Sequence, residues 1–247
     1  MDIRNLEKLP DNARKVLSPF LDELFDIYRE AIRSVFVYGS VTGRDYNPKT
    51  SDINMAVVLD DVSLGKLKPA LKAVRSGLKK KITAPLFLTP SYIKMSLDTF
   101  PMEFMGMKDT RCVLYGEDIL ADIEVKSEDL RRECEYQLKG KLLMIRQAYL
   151  EQGLNHRGIE RLIKASFGAL IPVFQNMLRI KRAQTPPSQK EEVLCQLEEE
   201  FDVDISSFLQ VLRDKKADGR VGGKDAETFL NDFLVQLERL SEIADKM

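Results

Sequence analysis

Two apolar runs, each bounded by small and polar residues, constrain this chain more than any other feature. Val35-Phe36-Val37-Tyr38 ends on Gly39-Ser40, and after a short spacer Ser51-Asp52-Ile53-Asn54 leads into Met55-Ala56-Val57-Val58-Leu59. Short runs of β-branched, aromatic and aliphatic residues between turn residues predict buried, neighbouring strands. A small-residue turn at a strand end lets backbone amides and one hydroxyl approach a polyphosphate. A carboxylate on the adjoining strand can then face the divalent metal that phosphate brings. Together the two segments outline a site for a nucleoside triphosphate.

The rest of the chain predicts two parts. Leu17, Phe20, Leu21, Leu24, Phe25, Tyr28 and Ile32 repeat at helical spacing and predict an amphipathic helix leading into the first strand. Leu67 to Leu78 reads as a helix and Ala84 to Thr89 as a third strand, with Pro85 at its start or on an edge. Phe100 to Phe104 and Arg111 to Tyr115 are further extended candidates. Strand signals stop near Asp122. From Ser127, with Glu128 and Asp129 in the first turn, helical periodicity takes over. Helices are predicted from Ser127 to Gly153, from Ile159 to Ile180 with a kink at Pro172, and from a Ser188/Glu191 capping box to Glu200. Two more follow, one capped by Asp204 and running to Arg213, the other carrying Phe229, Leu230, Phe233, Leu234, Leu237, Leu240 and Ile243 after a loop over Asp218–Gly223. The expected organisation is an α/β (α+β) domain with a small mixed sheet over residues 1–122, then an all-α helical bundle over 127–247.

Composition sets outer limits. A net charge of −1 over 247 residues gives no global basic excess for nucleic acid. Asp2, Arg4, Glu7 and Lys8 interrupt any apolar leader, and no apolar run approaches the ~20 residues needed to cross a bilayer. A cytoplasmic protein without membrane contact is therefore expected. Cys112, Cys134 and Cys195 lack metal-ligand spacing and read as ordinary thiols. His156 is the sole histidine and sits in a predicted turn, which disfavours mechanisms needing a histidine pair.

The segments quoted first resemble the nucleotidyltransferase superfamily, which includes DNA polymerase β, kanamycin nucleotidyltransferase and the minimal prokaryotic enzymes. Its pattern is a hydrophobic residue, Gly, Gly or Ser, about ten further residues, then Asp, a hydrophobic residue, and Asp or Glu. Tyr38-Gly39-Ser40 and Asp52-Ile53-Asn54 follow it, with Asn54 in place of the second carboxylate. The helical second half is similar in architecture to the kanamycin type, whose bundle helps form the acceptor pocket and whose site spans a homodimer. The resemblance implies an ATP-like nucleotide with Mg2+, held by Gly39, Ser40, Thr42, Arg44 and Ser51, with Asp52 and Asn54 as metal ligands. It implies transfer of a nucleoside monophosphate to a small-molecule or protein acceptor.

Asn54 divides the functional readings. Two-metal transfer needs carboxylates between ions about 4 Å apart, and an amide offers one neutral oxygen. The family's third carboxylate, often the general base, has no counterpart in Ala84 to Thr89. Glu103, between Met102 and Phe104, is the candidate if Phe100 to Phe104 is a strand, and would act as catalytic base beside Asp52. One reading is a transferase using Asp52, Glu103 and the Gly39-Ser40 loop. The alternative is a degenerate nucleotide- or partner-binding protein, antitoxin-like or regulatory. Lys66, Lys68, Lys72, Arg75, Lys79, Lys80 and Lys81 form a basic stretch without an acid. No aromatic residue interleaves with it, and it reads as a solvated helix face.

Overall fold

The computed structural model describes residues 3–43, 46–152, 155–216 and 225–247. Its contacts divide the chain into two compact units, Met1–Val125 and Lys126–Met247.

In the first unit, α1 (Asp11–Tyr28) precedes β1 (Ile32–Tyr38) and β2 (Asn54–Leu59). Then come α2 (Leu64–Leu67), α3 (Leu71–Leu78), β3 (Leu86–Leu88), α4 (Pro90–Met95), α5 (Pro101–Thr110) and β4 (Cys112–Gly116). The strands form one mixed sheet in the order β3-β2-β1-β4. β1 pairs antiparallel with both β2 and β4, while β2 and β3 run parallel. Alternation along the strands divides the interior between two faces. Val35, Val37, Ile53, Met55 and Val57 pack on the face shared with Leu17, Leu21 and Leu24 of α1 and Ala73 of α3. Phe36, Ala56, Val58 and Leu88 pack on the other, with Ile93 of α4 and Phe104 and Met107 of α5.

Three local expectations need correction. The first helix stops at Tyr28 because Arg29 takes a positive φ of 48°, and Ile32 opens β1 instead of closing α1. The stretch Leu67–Leu78 is two short helices around a 3-10 turn at Lys68–Ala70 that contains Pro69. Phe100–Phe104 is not extended, because Pro101 stands at the start of α5, where a fixed φ and a missing N–H suit the first turn. Met102, Phe104 and Met107 bury one side of that helix.

In the second unit the described helices are α6 (Ser127–Gln152), α7 (His156–Arg182), α8 (Lys190–Phe201), α9 (Ser206–Lys216) and α10 (Ala226–Lys246). Leu130, Cys134, Leu138, Leu142 and Ile145 form the buried stripe of α6. Burial pushes the Cys134 thiol up to about 12, so it acts as a small core hydrophobe. Phe208 stands edge-on to Phe174 and Phe233, with ring centroids 5.3 and 4.8 Å away. Such pairs add about 0.5–1.5 kcal/mol each beyond burial. Asp204 accepts from the Ser206 amide (2.9 Å) at the start of α9. It also accepts from the buried Gln236 amide of α10 (2.8 Å).

The chain corrects two predictions here as well. α7 begins at His156, so the histidine is its exposed first residue and not part of a turn. α7 contains Pro172 in its interior, as the expected helix does, and runs on to Arg182, with the Asn176 side-chain amide donating to the Pro172 carbonyl at 2.8 Å. α8 starts after Gln189 with no side-chain cap, so Ser188 makes no capping box. The predicted loop over Asp218–Gly223 lies outside the described residues. Among the described residues no helix is long and apolar enough to cross a membrane.

Candidate functional site

The site grows from the end of β1. At Gly39 the backbone enters the left-handed region (φ +79°), and a 3-10 turn covers Gly39–Thr42. A side chain at 39 would carry backbone strain there, and its Cβ would also stand 3.4 Å from the Asn54 Nδ2. Val41 is buried and anchors the turn from within.

The end of α5 clamps the turn from outside. The Gly39 amide donates to the Thr110 Oγ1 at 2.9 Å, and that hydroxyl donates to the Gly106 carbonyl at 2.7 Å. The Thr42 hydroxyl lies 2.6 Å from the Thr110 carbonyl and 2.8 Å from the Gly39 carbonyl. The Gly39 N–H and the Thr42 O–H are thus engaged inside the protein. Among the described residues the half-buried Ser40 hydroxyl has no hydrogen-bond partner.

β2 supplies the facing side chains. Its register sets Asn54 opposite Tyr38, at the point where β1 gives way to the turn. Ile53 is pinned by its amide donating to the Lys81 carbonyl (2.8 Å) and its carbonyl accepting from the Thr83 amide (3.0 Å). With Ile53 buried, period-two alternation puts Asp52 and Asn54 on the same face as Ala56 and Val58. Asp52 is exposed and, among the described residues, has no hydrogen-bond or ion-pair partner. Asn54 is half-buried, and the Thr83 hydroxyl approaches its Oδ1 at 3.3 Å. That contact leaves Nδ2 as the atom nearest Gly39. Position 54 therefore presents an N–H donor beside the turn, which suits a phosphate oxygen better than a cation.

The other predicted site residues separate. Ser51 organises the preceding loop, its Oγ accepting from the Asn47 amide (3.0 Å) and its amide donating to the Asn47 carbonyl (2.7 Å). Arg44 lies outside the described residues. Glu103 is exposed in the first turn of α5, not on a strand. It stands seven residues before Thr110, about 10 Å along the helix axis from the end that meets the turn. The proposed base therefore loses its structural premise. β3 pairs directly with β2, with Leu86 beside Ala56 and Leu88 beside Val58. On β3 the positions that share the Asp52 face are Leu86, which is 41% exposed, and the buried Leu88, and neither carries an acid.

The donor set does not fit a two-metal centre. Among the described residues no group of three or more His, Cys, Asp and Glu side chains is arranged to hold a metal ion. Asp52 brings one carboxylate and Asn54 an oxygen already approached by Thr83. Burial also pushes the Tyr38 phenol up, so the residue opposite Asn54 stays neutral at physiological pH. The basic stretch from Lys66 to Lys81 falls on α2, α3 and their flanking turns, and its Lys81 ammonium donates to the Lys49 carbonyl. Thr110 and Thr83 carry no sequence signal for their roles. Each lies far along the chain from the residue it holds, 71 positions for Thr110 and Gly39.

No family model matches the chain, and no curated protein matches it by sequence. Among solved structures it is similar to the spectinomycin adenyltransferase of Enterococcus faecialis, determined with ATP and spectinomycin. The TM-score is 0.55 at 11% sequence identity, over 91% of this chain and 98% of that one. At such identity the likeness is one of fold: an α/β domain with a small mixed sheet, followed by a helical region.

Proposed function

We propose that this chain binds a nucleoside triphosphate, ATP in the first instance, at the Gly39–Thr42 turn, and that nucleotidyl transfer is absent or severely reduced. The carrying observation is the state of position 54: an amide, bonded to Thr83, with its N–H group beside Gly39. In this reading the Ser40 hydroxyl and the Asn54 amide contact phosphate oxygens. Asp52 faces the magnesium that arrives on the nucleotide as part of the substrate. A nucleotide metal already carries phosphate ligands and needs few from the protein. Transfer also needs bridging carboxylates and a base. Leu86 on β3 and the remote Glu103 leave those roles unfilled.

The similar adenyltransferase was solved with spectinomycin as well as ATP, which makes spectinomycin the first acceptor to try. The experiment is incubation of the full chain with ATP labelled at the α-phosphate, Mg2+ and spectinomycin, followed by filter retention and chromatography. The expected result is label retained on the protein as intact ATP, with both spectinomycin and the polypeptide unlabelled. Labelled spectinomycin or labelled protein would instead establish a working transferase.

A further inference from the structure

Behind the turn, at the outer edge of β4, lies a cavity of about 670 Å³ that neither Ser40, Asp52 nor Asn54 lines. We propose that it is a separate binding site for a small phosphate-bearing anion. Arg4, Lys8, Lys108 and Arg111 line it against the carboxylates of Asp109 and Asp118. The volume is in the range that takes drug- or metabolite-sized ligands, about 300–1,000 Å³.

The arrangement of charge points to a dianion. Arg111 meets Asp118 through two parallel bonds of 2.6 and 2.7 Å and also donates to the Lys108 carbonyl. This pair fixes one wall, and Arg111 beside it holds the Asp118 carboxyl below the usual range, with Arg4 adding to the effect. Arg111 and Asp118 cancel, leaving Arg4, Lys8 and Lys108 against Asp109, an excess of two positive charges. Arg4 donates to the Gly116 carbonyl, and the Lys108 ammonium donates to the Ile123 carbonyl at 2.8 Å. Carbonyl partners orient these cations without neutralising them, so they remain available to an anion. Leu9, Val113 and the half-buried Cys112, whose thiol burial pushes up, give the cavity an apolar side. That side suits the organic part of a phosphorylated metabolite. Thr42 lines the cavity and also clamps Gly39 to Thr110, so a ligand here would sit against the back of the turn.

The test is calorimetric titration of the full chain with inorganic pyrophosphate, without Mg2+ and at low ionic strength. It compares the native protein, the double variant Arg4→Ala/Lys8→Glu, and Ser40→Ala/Asn54→Ala, which removes the two groups proposed to contact phosphate at the turn. The expected result is binding to the native protein, retained in Ser40→Ala/Asn54→Ala and weakened at least about tenfold for each cation removed in Arg4→Ala/Lys8→Glu. Both altered cations are exposed. If circular dichroism shows the charge variant unfolded, Lys8→Gln alone takes its place. No heat with native protein, or native affinity in the charge variant, would overturn the proposal. Loss of binding in Ser40→Ala/Asn54→Ala would also overturn it, placing the anion at the nucleotide turn and leaving the nucleotide reading intact.

Discussion

Replacing Asn54 with aspartate is expected to tighten Mg2+-ATP binding by about 10–100-fold, the scale on which ligand-shell changes move metal affinity. The change is nearly isosteric, and the Thr83 hydroxyl at 3.3 Å can donate to a carboxylate as it does to the amide. An aspartate at 54 would stand two residues from Asp52 on one strand face, about 7 Å along β2. Two carboxylates so placed attract a divalent ion and repel bare triphosphate. The sign should therefore reverse without metal: Asn54→Asp should bind ATP more weakly than the native protein in EDTA. Titration in Mg2+ and in EDTA reads both arms. Equal affinities in the two proteins under both conditions would mean that position 54 does not face the nucleotide. Transfer is not expected from this change alone, because β3 (Leu86–Leu88) still carries no acid that could act as a base. Asn54→Asp/Leu86→Glu is the variant in which to look for it.

Gly116→Ala should destabilise the first unit by more than about 3 kcal/mol, the range reached when backbone strain and steric overlap coincide. Gly116 ends β4 opposite Ser34 with φ +74°, and a Cβ there would stand 1.9 Å from the Arg33 carbonyl oxygen. That obstacle is backbone in the central strand, so no side chain can swing away to relieve it. Gly140→Ala in α6 is the matching control, since a Cβ there meets nothing within 4 Å. It should be neutral or stabilising by about 0.4–1 kcal/mol through helix propensity and a less flexible unfolded chain. The chain contains no tryptophan, so urea unfolding is best followed by far-ultraviolet circular dichroism. A Gly116→Ala midpoint close to the native value would contradict the β1–β4 register.

The parts of this structure that could be read from the sequence are those with local causes. β1, its turn and β2 follow from two apolar runs and the residues that punctuate them, and the buried Ile53 between exposed Asp52 and half-buried Asn54 follows from period-two alternation. Glu103 shows where such reasoning fails. A hydrophobic-acid-hydrophobic triplet is too short to separate a strand from one turn of helix, and Pro101, which begins α5, was the better guide. Ile32 misleads in the same way: it keeps helical spacing from Tyr28, yet the positive φ of Arg29 has already ended the helix. The clamps were beyond reach for another reason. Thr110 and Thr83 matter because the fold brings them to Gly39 and Asn54, and nothing in their neighbours along the chain announces it. The basic cavity is similar, since Arg4 and Lys8 meet Lys108 and Arg111 only because the N-terminal segment runs along β4, with the Arg4 amide donating to the Leu114 carbonyl at 2.8 Å.

A nucleotide site retained at the turn, with Asp52 as its one free carboxylate, is tested most directly by calorimetric titration of ATP with and without Mg2+ into the native chain and into Asp52→Ala. The expected outcome is binding that requires Mg2+ in the native protein and is lost or weakened by about 10–100-fold in the variant. Binding indifferent to both metal and Asp52, or no binding by the native protein, would contradict a nucleotide role for this site.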